Sequence, residues 1–370
     1  MIAQKSAIRA RPRLLGLFEK KFEGDDALLE LARLRFIEAG LGMECHAGTA
    51  AELEQLLSLS PDPEASVTAH LSRSLNLLEE RDRQRVMDFA RIFRRKIYGL
   101  VVHDQREIAD RFDEYVAAAC ALESALRDIE ASPYFFLEYA TGLDPELFVR
   151  LFRSLKNTEL LSACIDIGHL GLRRVREVYS ISHPGKDVCD VKPDDGKLPQ
   201  IIEDVQYAVR AAVDHVVGVV RELASLGKPL HFHLHDGHPL STYSPYGVSD
   251  HLSFLAEIPI PFDYGGRRSL PPMFGLRGLG KIIGESLALL RPELLSFVLE
   301  IHPTEGRLPL GNAQSMFRHW QNKLNAERMN FWLSILAQNR ILVSEMCAGK
   351  AFLPDSKTLS SSKPGHEAES

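Results

Sequence analysis

The sequence predicts a closed eight-stranded parallel α/β barrel, a (β/α)8 TIM barrel, with long insertions at its catalytic face and a C-terminal helical extension. Three observations carry this expectation. Short apolar segments alternate with longer amphipathic ones along most of the 370 residues, the pattern of repeated βα units. His70, His103, Glu138, Asp166, His233 and Glu300 each fall at the C-terminal end of a different strand segment. In the run from His231 to His238, His231, His233 and His235 alternate with apolar residues. Side chains two apart share one face of a strand, so these three imidazoles line up. In a barrel the strand ends converge on one mouth, where active sites form. An open sheet would hold its first and last strands too far apart to share a site.

The elements follow in order. Strand segments are expected at residues 41–46, 66–70, 98–103, 134–138, 161–166, 229–235 and 297–300. Helices are expected at about 79–95 and 108–129. The seventh strand is expected within residues 250–284, where many prolines and glycines hide its limits. Two insertions, about 172–198 and 239–275, are long enough to act as lids or substrate walls. Beyond Pro309 a helical region runs to about Cys347, with Phe317, Trp320 and Leu324, and then Trp332 and Leu336, at helical spacing. It reads as a helix packed on the barrel exterior. The expected organisation is a barrel over 1–310 (core about 40–302), a helical extension over 311–350, and a disordered Ser-, Lys-, Pro- and Glu-rich tail over 354–370.

Composition narrows the class. Hydrophobic residues make up 45% and charged residues 25%, as in a soluble globular protein. The formal net charge of -6 provides no positive field for nucleic acid or anionic lipid, although it leaves room for a local basic patch. No apolar run approaches the ~20 residues of a membrane span. The first 21 residues are basic, are broken by Pro12, and lead into no apolar signal core. Five scattered cysteines without a CxxC pair read as reduced thiols of a cytoplasmic protein and offer no thiolate zinc site. A homo-oligomer is compatible with all of this.

A buried row of imidazoles needs partners for every ring nitrogen, and a metal is the commonest way to satisfy them. Glu44 and His46 end the first expected strand and can reach the mouth, as supports for ligands or as substrate contacts. The glycines of the segment from Gly275 to Gly284 lack the context of a dinucleotide fingerprint and read as a tight turn entering a helix from Lys281. Neither a Gly-x-Ser-x-Gly elbow nor a Walker loop is present.

With these residues in place, the chain resembles the xylose isomerase-like TIM-barrel superfamily, which includes sugar isomerases and epimerases, dehydroshikimate dehydratases and the endonuclease IV family. The likeness rests on His70-Leu71-Ser72, Val102-His103, Leu137-Glu138, Asp166-Ile167-Gly168-His169, Phe232-His233-Leu234-His235-Asp236 and Leu299-Glu300, and it covers about residues 40–302. The resemblance implies a metal site of Glu138, Asp166, His233 and Glu300, with His169 as a further ligand or substrate contact. Three carboxylates and an imidazole suit Mn, Zn, Mg, Co or Fe as divalent ions.

Two chemistries follow from the resemblance, one on a small-molecule substrate and one on a phosphodiester in the manner of endonuclease IV, for which the acidic chain disfavours nucleic acid without excluding it. In the first, one metal ion acidifies a C–H bond of a sugar-like or hydroxy-carbonyl compound, and Glu138 and Glu300 exchange the proton from opposite sides. The outcome is isomerisation, epimerisation or elimination, and this is the expectation adopted from the sequence. In the second, His70 and His103, with Asp250 or His251, extend the site to as many as three metals for phosphodiester hydrolysis. A multinuclear oxidase or hydrolase of a small molecule belongs to the same group. His46, His235, Asp236, His238 and Arg277 are the expected substrate contacts. Ala140 stands where xylose isomerases carry a lysine, which excludes that enzyme itself. The arginine that usually follows the sixth-strand motif is missing, with His238 nearby and Arg267, Arg268 or Arg277 as substitutes.

Overall fold

The computed structural model describes residues 11–18, 26–58, 66–140, 142–191, 195–237, 239–241, 260–264, 267–270, 273–301 and 326–349. Its centre is a closed parallel barrel. The strands are β1 (Arg13–Phe18), β2 (Gly42–His46), β3 (Val67–His70), β4 (Gly99–His103), β5 (Tyr134–Glu138), β6 (Leu161–Asp166) and β7 (Leu230–Leu234). Two further strands, β8 (Ile260–Tyr264) and β9 (Arg267–Leu270), pair antiparallel with each other outside the barrel. β10 (Leu295–Leu299) completes the ring in the order β1, β10, β7, β6, β5, β4, β3, β2.

This order corrects the strand expected within 250–284. β7 pairs directly with β10, with no strand between them. The eighth stave is instead β1, which pairs with β10 on one side and β2 on the other. Its six residues are hard to recognise because they follow a basic stretch and contain Gly16. The glycine has a packing reason: a Cβ there would lie 2.9 Å from the Phe36 ring. Phe36 belongs to α1 (Asp26–Glu38), which therefore seats closely on β1.

Each remaining strand leads into helix in the way the βα pattern requires. α2 (Ala50–Ser58), α3 (Glu80–Phe93), α4 (Glu107–Asp110), α5 (Phe112–Arg127) and α6 (Pro145–Ser154) follow β2 to β5. Asp144 caps α6 by accepting from the Leu147 N–H, and Pro145 takes the first turn, where a missing N–H costs nothing. After β6, α7 (Ile167–Ser182) starts without a loop, and α8 (Leu198–Ala224) returns the chain to β7. The insertion expected at 172–198 is therefore helical over its first part. Leu170, Leu172, Val175 and Tyr179 give α7 its buried face, and the charged residues between them disguise that periodicity. α9 (Gly275–Leu289) begins at Gly275, so the glycine run forms the first turns of the helix rather than a turn before Lys281. α10 (Ala326–Cys347) packs on the barrel exterior through Leu333, Leu336, Val343 and Met346. Phe317, Trp320, Leu324 and the tail lie outside the described residues. Among those described, no helix is long and apolar enough to cross a membrane.

Strand alternation divides the core in two. Outward residues such as Leu100, Val102, Phe135, Leu137, Phe232 and Phe297 pack against the helices and form the main apolar core. Inward residues at the lower end include Val101, Phe136 and Cys164, with Tyr98 and Tyr134 beneath them. Gly99 makes room for this layer, because a Cβ there would sit 2.6 Å from the Phe136 ring. The upper part of the interior is polar.

Removal of β1 tests the assignment of the closing strand. A chain beginning at residue 26 exposes the edges of β2 and β10. It is expected to lose the cooperative thermal transition of the full chain in circular dichroism. Retention of that transition would place the closing strand elsewhere.

Candidate metal centre

The polar half of the interior is built from strand ends. Register sets His46 beside His70, His103 beside Glu138, and Asp166 beside His233. Glu300 follows β10, and its N–H extends the ladder to the Leu234 carbonyl at 3.1 Å. Asp166 both ends β6 and caps α7, with Oδ1 accepting from the His169 N–H at 2.7 Å. That cap fixes His169 over the mouth. Gly168 is required next to it, because a Cβ would lie 2.1 Å from Cε1 of His235.

These side chains form three overlapping triads, and two further sets, Glu44 with His70 and His233 and Cys164 with His231 and His233, share the two histidines His70 and His233 with them. His70, His103 and Glu138 make the first, Glu138, Asp166 and His169 the second, and Asp166, His233 and Glu300 the third. Within each triad the ligand atoms all lie within 4.8 Å of one another. Glu138 belongs to the first and second, and Asp166 to the second and third, so two carboxylates join the three sets. His70 Nε2 lies 2.6 Å from Glu138 Oε2, and His103 Nε2 lies 3.4 Å from the same atom. His233 Nδ1 is 3.2 Å from Glu138 Oε1 and 3.4 Å from Glu300 Oε2. His235 Nε2 sits 2.8 Å from Asp166 Oδ1, and His169 Nε2 is 3.5 Å from Asp166 Oδ2.

Two features fit this donor set to cations. Asp166 Oδ2, His169 Nδ1 and His103 Nδ1 are buried and make no hydrogen bond among the described residues. Buried polar atoms rarely go without partners, and a metal satisfies them. His70 adds a tautomer argument. Its Nδ1 faces the Leu71 carbonyl at 3.1 Å and therefore carries hydrogen. Its Nε2 then meets a carboxylate oxygen, which is stable only for an imidazolium or with a cation between the two.

Electrostatics of the protein alone show the same need for positive charge. Burial works to raise the Glu138 carboxyl, but His103, His233 and His70 hold it well below the usual range. Burial opposes ionisation of Asp166 too, and His169 and His235 keep it low. Burial alone would lower His70, His233 and His235, yet their carboxylate neighbours raise all three. His103 goes the other way, pushed by burial down to about 3. Glu300 is pushed by burial up to about 7, with Asp166 and Glu138 adding to the rise.

The expected residues divide as follows. Glu138, Asp166, His233, Glu300, His169, His70 and His103 come together, and His235 joins them through Asp166 and Glu300. His46 is half-buried, with its ring 4.5 Å from that of His70. Asp236 does not face the mouth as a substrate contact. Its carboxylate accepts from the backbone N–H groups of Gly237, Phe274 and Gly275, which ties the start of α9 to the end of β7. Asp104 does the same after β4, accepting from Ala140, Gly142 and Leu143. Arg277 is exposed in the first turn of α9, outside the triads. His238, Asp250 and His251 lie outside the described residues. His231 shares the inward face but sits deeper, stacked 4.9 Å from Phe136 and paired with Ser296 and Glu44. Cys164 reaches the same depth and lies near His231 and His233. The signal for Glu44 in the sequence is Met43-Glu44-Cys45-His46, which puts it on the same strand face as His46, in an otherwise apolar segment. No family model and no curated protein matches the chain.

Two measurements test the centre. Gly168→Ala drives a methyl group into the His235 ring, so zinc affinity is expected to fall well beyond any loss in Tm; an unchanged affinity would separate His235 from the site. Zinc binding is also expected to release protons, because His70, His233 and His235 hold them above the ordinary imidazole pKa in the metal-free protein. Affinity therefore falls as pH falls. Titration calorimetry in buffers of different ionisation heat reads the release directly, and zero release would contradict the charge balance described here.

Proposed function

We propose that the protein is a multinuclear divalent-metal hydrolase acting on a small phosphate ester. One observation carries this reading: Glu138 and Asp166 each belong to two triads, as bridging carboxylates between neighbouring ions do. His70, His103 and Glu138 would hold one ion, Glu138, Asp166 and His169 a second, and Asp166, His233 and Glu300 a third. The nitrogen and oxygen donors suit Zn, Mn or Fe. When bound, such ions activate water and neutralise the charge of a phosphoryl group.

The chain's own residues have distinct tasks in this reading. Glu138 and Asp166 keep the three sets in fixed relation through their ring partners. Glu300 lies 3.4 Å from His233 Nδ1 and completes the third set with Asp166. His46 borders the mouth beside His70 and is placed to meet substrate. The net charge of -6 favours a small substrate over a polyanionic duplex.

One observation favours the isomerase or epimerase reading. Glu138 and Glu300 approach the His233 ring at similar distances, 3.2 and 3.4 Å, so two carboxylates border one space, as two-base proton exchange needs. Metal count and substrate separate the readings. About two or three Zn, Mn or Fe per chain, with hydrolysis of bis(p-nitrophenyl) phosphate, is the expected result. About one ion per chain, with aldose–ketose exchange and no phosphodiesterase activity, would replace it by the isomerase. Glu138→Gln is expected to lower both the metal content and kcat, the latter by about 10²–10⁴-fold, while the far-ultraviolet spectrum is retained.

A further inference from the structure

The strand ends opposite the triads carry a second feature. A cavity of about 660 Å³ opens at the N-terminal end of the barrel. Its wall includes Arg11 and Leu14 at the start of β1, Gly40 in the turn before β2, Pro292 just before β10, and Arg340 and Cys347 on α10. The cavity therefore lies where the closing strand, two neighbouring strand starts and the C-terminal helix meet. Its size is that of a site for a small organic molecule.

Arg340 gives this wall its chemistry. The side chain is half-buried, and its Nε is shielded from water yet makes no hydrogen bond. Among the described residues, no hydrogen bond or ion pair engages its guanidinium. Gly40 lets that group close on the wall: a Cβ there would lie 2.8 Å from Arg340 Nη2. Gly40 also turns the chain at φ +63°, so a side chain is disfavoured on both counts. Arg11 is exposed and adds a second guanidinium to the lining. Glu345 lines the cavity too, but it is engaged in a contact of its own and not in an ion pair with either arginine. Burial pushes the Cys347 thiol up to about 12, so it stays neutral and adds no counter-charge. Two guanidinium groups against one carboxylate leave the lining net positive. A buried N–H without an acceptor is costly, and a planar guanidinium fork matches the paired oxygens of a carboxylate or phosphate.

We propose that this cavity is a second ligand site, for a small organic anion whose carboxylate or phosphate head meets Arg340 and whose apolar body lies against Leu14 and Pro292. The site is independent of the chemistry at the mouth. An anion bound there ties α10 to β1 and to the turn before β2, and so stabilises closure of the barrel.

The test uses the full chain stripped of metal, so that the mouth presents no cation to the probes. Phenyl phosphate and benzoate are titrated in, with benzyl alcohol as the neutral control. In nitrogen-15 arginine-labelled protein, the Arg340 Nε–H resonance is expected to move saturably with at least one of the two anions, and the same anion is expected to raise Tm. Which anion acts tells a phosphate head from a carboxylate head. In calorimetry, Arg340→Ala is expected to weaken that binding by about 10–100-fold, the loss expected for a charged hydrogen-bond donor. Arg11→Ala, at an exposed position, is a second variant and is expected to weaken it less. No movement of the Arg340 resonance with either anion overturns the proposal in the unaltered protein, whether or not Arg340→Ala folds. So does an equal response to benzyl alcohol. A rise in Tm that persists undiminished in folded Arg340→Ala also overturns it, and places the anion at the histidine-rich mouth.

Discussion

The rest of the structure depends on charge balance among carboxylates buried inside the barrel. Glu44, Glu138, Asp166 and Glu300 lie within the interior or at its mouth, with little or no exposure to water. An unpaired buried carboxylate is too costly to survive, so each must be matched by hydrogen-bond donors, imidazolium or metal. The histidines provide that match: His70 and His103 at Glu138, His231 and His233 at Glu44, His169 and His235 at Asp166. Without them the barrel would need another apolar layer in this space. With them, the upper interior becomes a preorganised donor set whose positive charge is supplied either by protons or by divalent ions.

Depth sorts the histidines by task. His231 is lowest, stacked on Phe136 and paired at both nitrogens. His233 is intermediate, with one nitrogen toward the buried Glu44 and the other toward the mouth. His235 is highest and meets Asp166 at the rim. One strand face thus passes from the packed interior to the mouth over five residues. Two carboxylates outside the cluster stabilise this arrangement from behind. Asp104 and Asp236 each gather backbone N–H groups from two segments, which anchors the loops following β4 and β7. Loops held this way keep His103 and His235 in place without contributing ligands themselves.

Much of the fold and centre was legible because period-two alternation and strand-end chemistry are local. Seven of the barrel's strands could be placed from apolar segments, and the metal-type residues at their ends indicated a closed ring. β1 was missed because a six-residue apolar run containing Gly16 does not identify itself without its neighbours; only the close seat of Phe36 explains that glycine. The sequence hides the helical first part of the 172–198 insertion because charged residues interrupt the buried face of Leu170, Leu172, Val175 and Tyr179 in α7. Asp236 looked like a substrate contact because its sequence neighbour is His235. Its carboxylate instead turns back to backbone donors that lie 38 and 39 residues away along the chain.

The amino-acid sequence by itself determined which residue types stand at the strand ends, and hence that the mouth would be rich in imidazole and carboxylate. It also determined that His231, His233 and His235 share a face, since alternation follows from backbone geometry alone. Tertiary structure decided which of them meet which carboxylate. Barrel closure brings Glu44 from β2 against His231 and His233 from β7, although about 190 residues separate them in the chain. It also decided that Glu138 and Asp166 are shared between triads. Sharing depends on the register of neighbouring strands and on side-chain distances across the ring, and no local pattern encodes either.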